Sequence, residues 1–462
     1  MLCIDYTDGN TNEVIRVEVA IIGAGPTGLI MGIGLARRGH RVVAVDRDPG
    51  PSADGSWQRR GVMQFHHAHS FRQQIVDLVR SEAPMGWQNW LAAGAEPVEM
   101  ALPDGMVVPV GARSRRVTFE TALRSAAVTQ SGLTIRTGHV DGVIVRRGRA
   151  SGILVDGQEI DADLVLDASG RSSRVTRSLR TSLPIGGPCG IAYVDRQYQL
   201  LDGVPMPPLL NPIAWQGDYD GYQVIIFLHE RGAFSALIIR PTSDRSLVPL
   251  RHNKSFEAAA RAIPGLAAWT DPSVSRPLTD VLPGGPLLNV YRDQRRADGE
   301  LALPGLVFVG DAVCTTTPNF GRGIATSYLQ AGELLSLIDR HGADGESIGE
   351  AFDAWCAVNM RPWVQDHIQM DDALARRWGG EDVVMDKGRL PSDLIMAATA
   401  KDPSIGAVIG PYLGMLALPS SLDAVEPHAR AVYRTGWRPP FTDGPDRHQL
   451  AEIASTAVRA GV

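Results

Sequence analysis

The chain has 462 residues, enough for about three domains or one large composite around a sizeable core. Lys+Arg 45 against Asp+Glu 51 gives a net charge of −6, which argues against nucleic acid or a membrane surface as partner. Hydrophobic residues at 44% and charged residues at 21% exclude a disordered, collagen-like or coiled-coil chain. Val17–Ile22 predicts a strand, Gly23–Gly28 a turn, Leu29–Arg38 a helix closed by Gly39, and Arg41–Val45 a second strand closed by Asp46, together a βαβ unit. The apolar stretch Val17–Ala36 carries Gly23, Gly25, Pro26, Gly28, Gly32 and Gly34 and follows acidic Asp5, Asp8 and Glu13, so neither a signal peptide nor a membrane span is expected.

Farther on, Pro49–Gln58 reads as loop, Phe71–Arg80 and Trp87–Ala93 as helices, and Val117–Gln130 as a stronger helix. Leu133–Val155 reads as short glycine-punctuated strands and Leu164–Ala168 as a buried strand. From Pro184 to about Asp293 strands dominate, among them Tyr222–Leu228 and Ala233–Arg240 around a turn at Arg231-Gly232, with one helix at Phe256–Trp269. Leu306–Val309 returns to a buried-strand pattern, and the following helix, ended by Gly342, carries Ile324, Tyr328, Ala331, Leu335 and Ile338 at helical spacing. From Ser347 onward the pattern is helical, with proline-rich breaks such as Trp437–Phe441.

Gly23-Ala24-Gly25-Pro26-Thr27-Gly28 opens a helix directly after a strand, and Asp46 ends the next strand 18 positions after Gly28. Gly23 permits the tight turn, Gly25 lets a pyrophosphate approach the backbone, and Gly28 lets helix and strand pack closely, while Asp46 suits ribose hydroxyls. A dinucleotide site follows, although this motif alone does not separate FAD from NAD.

Cys3, Cys189, Cys314 and Cys356 lie far apart without CxxC or zinc spacing, so a reducing, cytoplasmic compartment is expected. His66, His67 and His69 are the densest histidine cluster, but no acidic residue or cysteine close in sequence completes a ligand set, and no metal is expected. Trp87 and Trp90 read as core, and so do Tyr222 and His229, whose sheet face is left open without a register.

Gly310-Asp311-Ala312 follows a buried strand, and Pro318-Asn319-Phe320-Gly321-Arg322-Gly323 leads into a long helix. These segments resemble the GD motif and flavin loop of FAD-dependent monooxygenases with the para-hydroxybenzoate hydroxylase type of fold. The resemblance implies FAD as cofactor, with Gly310 and Asp311 at its ribityl chain and Gly321, Arg322, Gly323 and Ile324 at the isoalloxazine. It gives the catalytic role to the loop backbone at Pro318, Gly321 and Gly323, with no side-chain acid or base assigned. Arg59-Arg60-Gly61-Val62 and Arg116-x-x-Phe119-Glu120 resemble two further stretches of that family, so Arg59 and Arg116 are carried over as FAD contacts. One departure stands out: in Asp167-Ala168-Ser169-Gly170-Arg171, Ser169 takes the place of an aspartate that serves FAD and NADPH in the family.

The implied architecture is an α/β fold: a Rossmann-type FAD-binding domain (1–66, 106–183 and 294–345), an inserted β-sheet substrate domain (67–105 and 184–293) and a helical C-terminal region (346–462). The implied function is that of a monooxygenase, hydroxylating or epoxidising a hydrophobic small molecule with O2 through a flavin C4a-hydroperoxide, in natural-product biosynthesis. NAD(P)H, or reduced flavin from a separate flavin reductase, is the implied electron source. A reductase or desaturase of a prenyl-type chain is the alternative. Flavin halogenases are disfavoured: the family uses a tunnel lysine and a Trp-x-Trp-x-Ile-Pro segment, whereas here no lysine precedes Lys254 and that segment is missing.

Overall fold

The computed structural model describes residues 16–59, 61–102, 105–209 and 212–459, so Cys3, the acidic residues before Arg16 and Arg60 lie outside the described residues. Five strands far apart in sequence form one parallel sheet, in the order Leu306–Phe308, Leu164–Asp167, Glu18–Ile22, Arg41–Asp46, Leu133–Thr137. Parallel strands are covered on both faces, which is why Val19–Ile22, Leu164–Leu166 and Val307–Phe308 are unbroken apolar runs, all buried. The helices Pro26–Arg37 and Gly323–His341 pack together, and Gly34 leaves room for Leu335. Glu18–Ile22 is central, and the chain leaves it toward opposite sides, so a crevice opens at its carboxyl end. The helix expected from Leu29 starts at Pro26, because proline supplies helical φ without needing its missing N–H.

A second, antiparallel sheet runs Ala214–Tyr219, Tyr222–Leu228, Ala233–Pro241, Ile191–Leu200, Ser275–Pro277. Its register pairs Tyr193 with Ile239 and Ile225 with Leu237, which sorts the side chains onto two faces. One face (Tyr198, Tyr222, Val224, Ile226, Phe234, Ile238) forms an apolar core with Phe256, Leu266 and Trp269 and with Leu450 and Ala454 of the last helix, Arg447–Arg459. The other (Ile191, Tyr193, Ile225, Phe227, Leu237, Ile239) meets Leu287, Leu374 and Trp378. Tyr222 therefore points to the helices, its hydroxyl donating to the Pro445 carbonyl at 2.7 Å. His229 is buried between Ser114 and Ser235.

Several expectations are corrected by packing. The helix expected over Phe256–Trp269 is two, Asn253–Ala262 and Pro264–Thr270, because Pro264 cannot continue the first. Phe71–Arg72 is a short strand paired with Gly111 and Ala112, and its helix begins at Gln73. Phe71, Ile75, Val79 and Trp90 lie in the same apolar core as the parallel sheet. The segment after 346 divides. Ile348, Phe352, Trp363 and Tyr433 join that same core, while Leu450 and Ala454 join the second sheet. No helix among the described residues is long and apolar enough to cross a membrane.

Candidate active site

The turn Gly23–Gly28 sits at the crevice. Gly23 adopts φ +99°, and a Cβ there would lie 2.8 Å from the Ala168 carbonyl oxygen, so the loops after the two central strands touch at this glycine. A Cβ on Gly28 would lie 1.9 Å from the Gly23 oxygen, whereas one on Gly25 would meet only the Arg59 guanidinium at 3.5 Å. The helix from Pro26 has no acidic residue in its first turn and no side-chain cap at Gly25, which leaves its positive end free for an anion.

Around this end a charged cluster is assembled from three segments. Asp46 accepts the Ala24 N–H at 2.8 Å and pairs with Arg59 at 2.6 Å. Arg59 also pairs with fully buried Glu120, which Arg116 reaches at 2.5 Å from one helical turn earlier. Sequence reasoning named the two arginines and the aspartate but gave Glu120 no role. The Arg116/Glu120 spacing of four was the available signal. Desolvation opposes ionisation of Arg59, yet Glu120 and Asp46 together hold its basicity above the ordinary value.

On the opposite side, Gly310 adopts φ +74° against Thr27, where a Cβ would come within 2.8 Å, and its N–H donates to Gln330 at 2.9 Å. The two motifs, almost 300 residues apart in the chain, are thus in contact. Burial pushes the Asp311 carboxyl up, opposed by Arg116, Arg171 and the Ser327 hydroxyl. The loop Pro318–Gly323 turns at Gly321 in the left-handed region (φ 58°, ψ 38°), and a Cβ there would strike Ser70 at 2.6 Å. Gly323 starts the helix to His341 with open space around its Cα, and Ile324 is half-buried. Arg322 is turned inward: fully buried, it pairs with Asp366 at 3.0 Å and lies over the rings of Trp363, Tyr412 and Phe320. Only Nη1 makes that pair, and Nε and Nη2 are buried without a hydrogen-bond partner.

The departure at Ser169 has a local explanation. The Asp167 carboxylate, fully buried, accepts the Ser169 N–H at 2.9 Å and hydroxyl at 2.6 Å, and the hydroxyls of Ser173 and Thr176 besides. Ser169 thus closes its own turn. Ser169→Asp sets a second carboxylate beside the first and removes a donor, so it is expected to lower stability by about 1–3 kcal/mol in urea unfolding.

The histidines separate. His66 lies 3.3 Å from Gln58. His67 is buried 3.4 Å from Asp195, whose second oxygen has no hydrogen-bond partner. His69 lies 3.3 Å from Arg116. Trp90 is core: it donates to Ser114 at 2.8 Å and packs on Phe71 and Phe119. Burial holds His69 and His367 well below the usual imidazole range, with Arg116 adding to it for His69 and Arg322 and Arg72 for His367. Below pH 6.5 the unfolded chain takes up protons that these folded imidazoles refuse, so stability falls as pH drops through the unfolded value. His367→Gln is expected to remove up to about 1.4 kcal/mol of that loss per pH unit, read from urea unfolding at pH 7.5 and 5.5.

Comparison with known proteins agrees with this geometry. Residues 18–118 match the family model described as FAD dependent oxidoreductase. By sequence, no curated protein matches the chain. Among solved structures, the fold is similar to the flavin-dependent brominase Bmp2, with TM-score 0.63 and 15% identity over 91% of this chain and 100% of that one. It is also similar to PqsL, a probable FAD-dependent monooxygenase from Pseudomonas aeruginosa, with TM-score 0.58 and 16% identity over 79% and 99%. For CmlS, a flavin-dependent halogenase, the TM-score is 0.59 and the identity 16% over 96% and 78%. Residues 18–118 thus resemble an FAD dependent oxidoreductase, and the fold is similar to that of flavin-dependent monooxygenases and halogenases.

Proposed function

We propose that the protein is an FAD-dependent monooxygenase that hydroxylates or epoxidises a hydrophobic small molecule of natural-product type. The residues present fit FAD: Gly25 beside the free helix end and Arg59 suits a pyrophosphate, Asp46 a ribose, and Gly310-Asp311 on Thr27 the ribityl chain. Arg116 would stand by the same cofactor, and the backbone of Pro318, Gly321, Arg322, Gly323 and Ile324 would lie along the flavin. The flavin, once reduced, supplies the activation of O2.

The observation that carries the reading is the apolar inner face of the second sheet, Tyr193, Ile225, Phe227, Leu237 and Ile239, closed by Leu374 and Trp378. The face is predominantly apolar, with Asp195 as the carboxylate on it, which favours an apolar substrate and limits water near the reacting atoms. Electrons come from NAD(P)H or as reduced flavin from a separate reductase. The latter is favoured by Ser169, which replaces the family's aspartate and spends its hydroxyl on Asp167. The halogenase reading is disfavoured because the only lysines, Lys254, Lys387 and Lys401, are all exposed, so none is left to line an enclosed tunnel.

The test is to load the protein with FAD, supply NADPH or a flavin reductase, and follow 18O2 incorporation across a panel of phenols, indoles and polyenes, with and without bromide. One labelled oxygen atom in product is expected. Brominated product, or turnover without O2, would replace this reading with the halogenase or the reductase.

A further inference from the structure

Behind the loop Pro318–Gly323 lies a buried polar cluster that no motif announced. It is built on the helix Arg361–Trp378, where His367, Asp371, Leu374 and Trp378 recur at positions sharing one face. Leu374 and Trp378 reach the apolar face of the second sheet, while His367 and Asp371 reach the start of the loop. The Asp371 carboxylate accepts the Asn289 amide at 2.7 Å and the Thr317 hydroxyl at 2.8 Å from one oxygen, and its other oxygen faces the Asn319 amide at 3.5 Å. Asn289 in turn accepts the Thr317 N–H at 2.8 Å, so backbone and side chain of the residue before Pro318 are both gripped.

The direction of this chain of bonds follows from its members. Thr317 gives its only hydroxyl proton to Asp371, so toward His367 Nδ1, 3.0 Å away, it is an acceptor and His367 carries its proton on Nδ1. His367 is neutral, and its Nε2 is buried without a partner. Among the described residues no arginine or lysine forms an ion pair with Asp371, and its hydrogen bonds come from neutral donors.

We infer that Asp371 is a positioning residue, which fixes the flavin-side loop through Thr317 and ties it, along a single helix, to the apolar face where substrate binds. This rests on the reading of Pro318–Gly323 as the loop beside FAD. The carboxylate grips its donors best when ionised, and burial raises it to about 6, so the grip is expected to loosen as pH falls through that value. The Asn289 and Thr317 donors oppose that rise, and Asp393 on Ser392–Ala397 and Asp366 on the same helix add to it. Cys189 feels the Asp371 charge, and burial, with Arg322 and Arg72 adding to it, keeps the neighbouring His367 neutral.

The experiment measures FAD dissociation constants and the visible spectrum of bound FAD from pH 5 to 8 in the full chain, so no substrate is needed. For wild type, affinity and spectrum are expected to change with a midpoint near pH 6. Asp371→Asn, which keeps the shape but turns a donor toward Thr317 or Asn289, is expected to weaken FAD binding roughly tenfold and abolish that transition. Thr317→Val is expected to weaken binding similarly, and Thr317→Ser, which keeps the hydroxyl, to behave as wild type. This pair carries the test should Asp371→Asn fail to fold. Wild-type affinity and an unchanged pH profile in Asp371→Asn, or equal behaviour of the Val and Ser variants, would overturn the inference. Wild type that binds no FAD would overturn the flavoprotein reading itself and is recognised without any variant.

Discussion

Gly25→Ala is expected to yield a folded protein that has lost FAD, and Gly28→Ala a protein damaged in its fold. At Gly25 the backbone is extended (φ −78°, ψ −174°), which alanine adopts freely, and the new methyl meets only the Arg59 guanidinium at 3.5 Å, an ordinary contact. The methyl does occupy the space through which a pyrophosphate approaches the helix end, so the cost falls on binding alone. At Gly28 the methyl would lie 1.9 Å from the Gly23 carbonyl oxygen, backbone against backbone, with Gly23 itself wedged on Ala168. Neither side can yield without moving the central strand or its helix, a cost of about 3 kcal/mol or more. Flavin content after loading with FAD, together with urea unfolding of both apo variants, separates the two outcomes. Gly25→Ala that keeps its FAD would remove the pyrophosphate from this turn.

Arg59→Met is expected to be among the most destabilising single changes outside the apolar core. It leaves Asp46 and the fully buried Glu120 facing each other across the space the guanidinium filled. Removing one partner of a buried ion pair costs about 3–5 kcal/mol, because the remaining charge has neither water nor a counter-ion. Arg116 still reaches Glu120, which moderates the loss on that side. Adding Glu120→Gln to Arg59→Met is expected to recover part of the stability, since the amide needs no counter-charge. Chemical unfolding of the two variants reads this directly. A double variant no more stable than Arg59→Met would show that the guanidinium acts through its packing on Trp57 rather than through Glu120.

The βαβ unit, the glycine turn, Asp46, and the Gly310-Asp311 and Pro318–Gly323 segments are legible in the chain because each rests on local rules. These rules are a buried strand, a turn only glycine can make, and a helix end that attracts anions. The parallel strands are legible for the same reason, since burial on both faces writes itself as an unbroken apolar run. Pro264 obeys a local rule too, yet the reading of Phe256–Trp269 as one helix passes over it.

What tertiary structure alone decided is where distant segments meet. Whether Tyr222 or Ile225 faces the inner side of the second sheet depends on register, which period-two alternation leaves free in a strand buried on both faces. Glu120 becomes a shared counter-ion only once Arg59, 61 residues away, is folded onto it. Asp371 acquires its place only when a helix near the end of the chain closes on Thr317 and Asn289. Charge pairing and hydrogen bonding depend on distances in space, and spacing along the chain fixes those distances only within one turn, one hairpin or one helix.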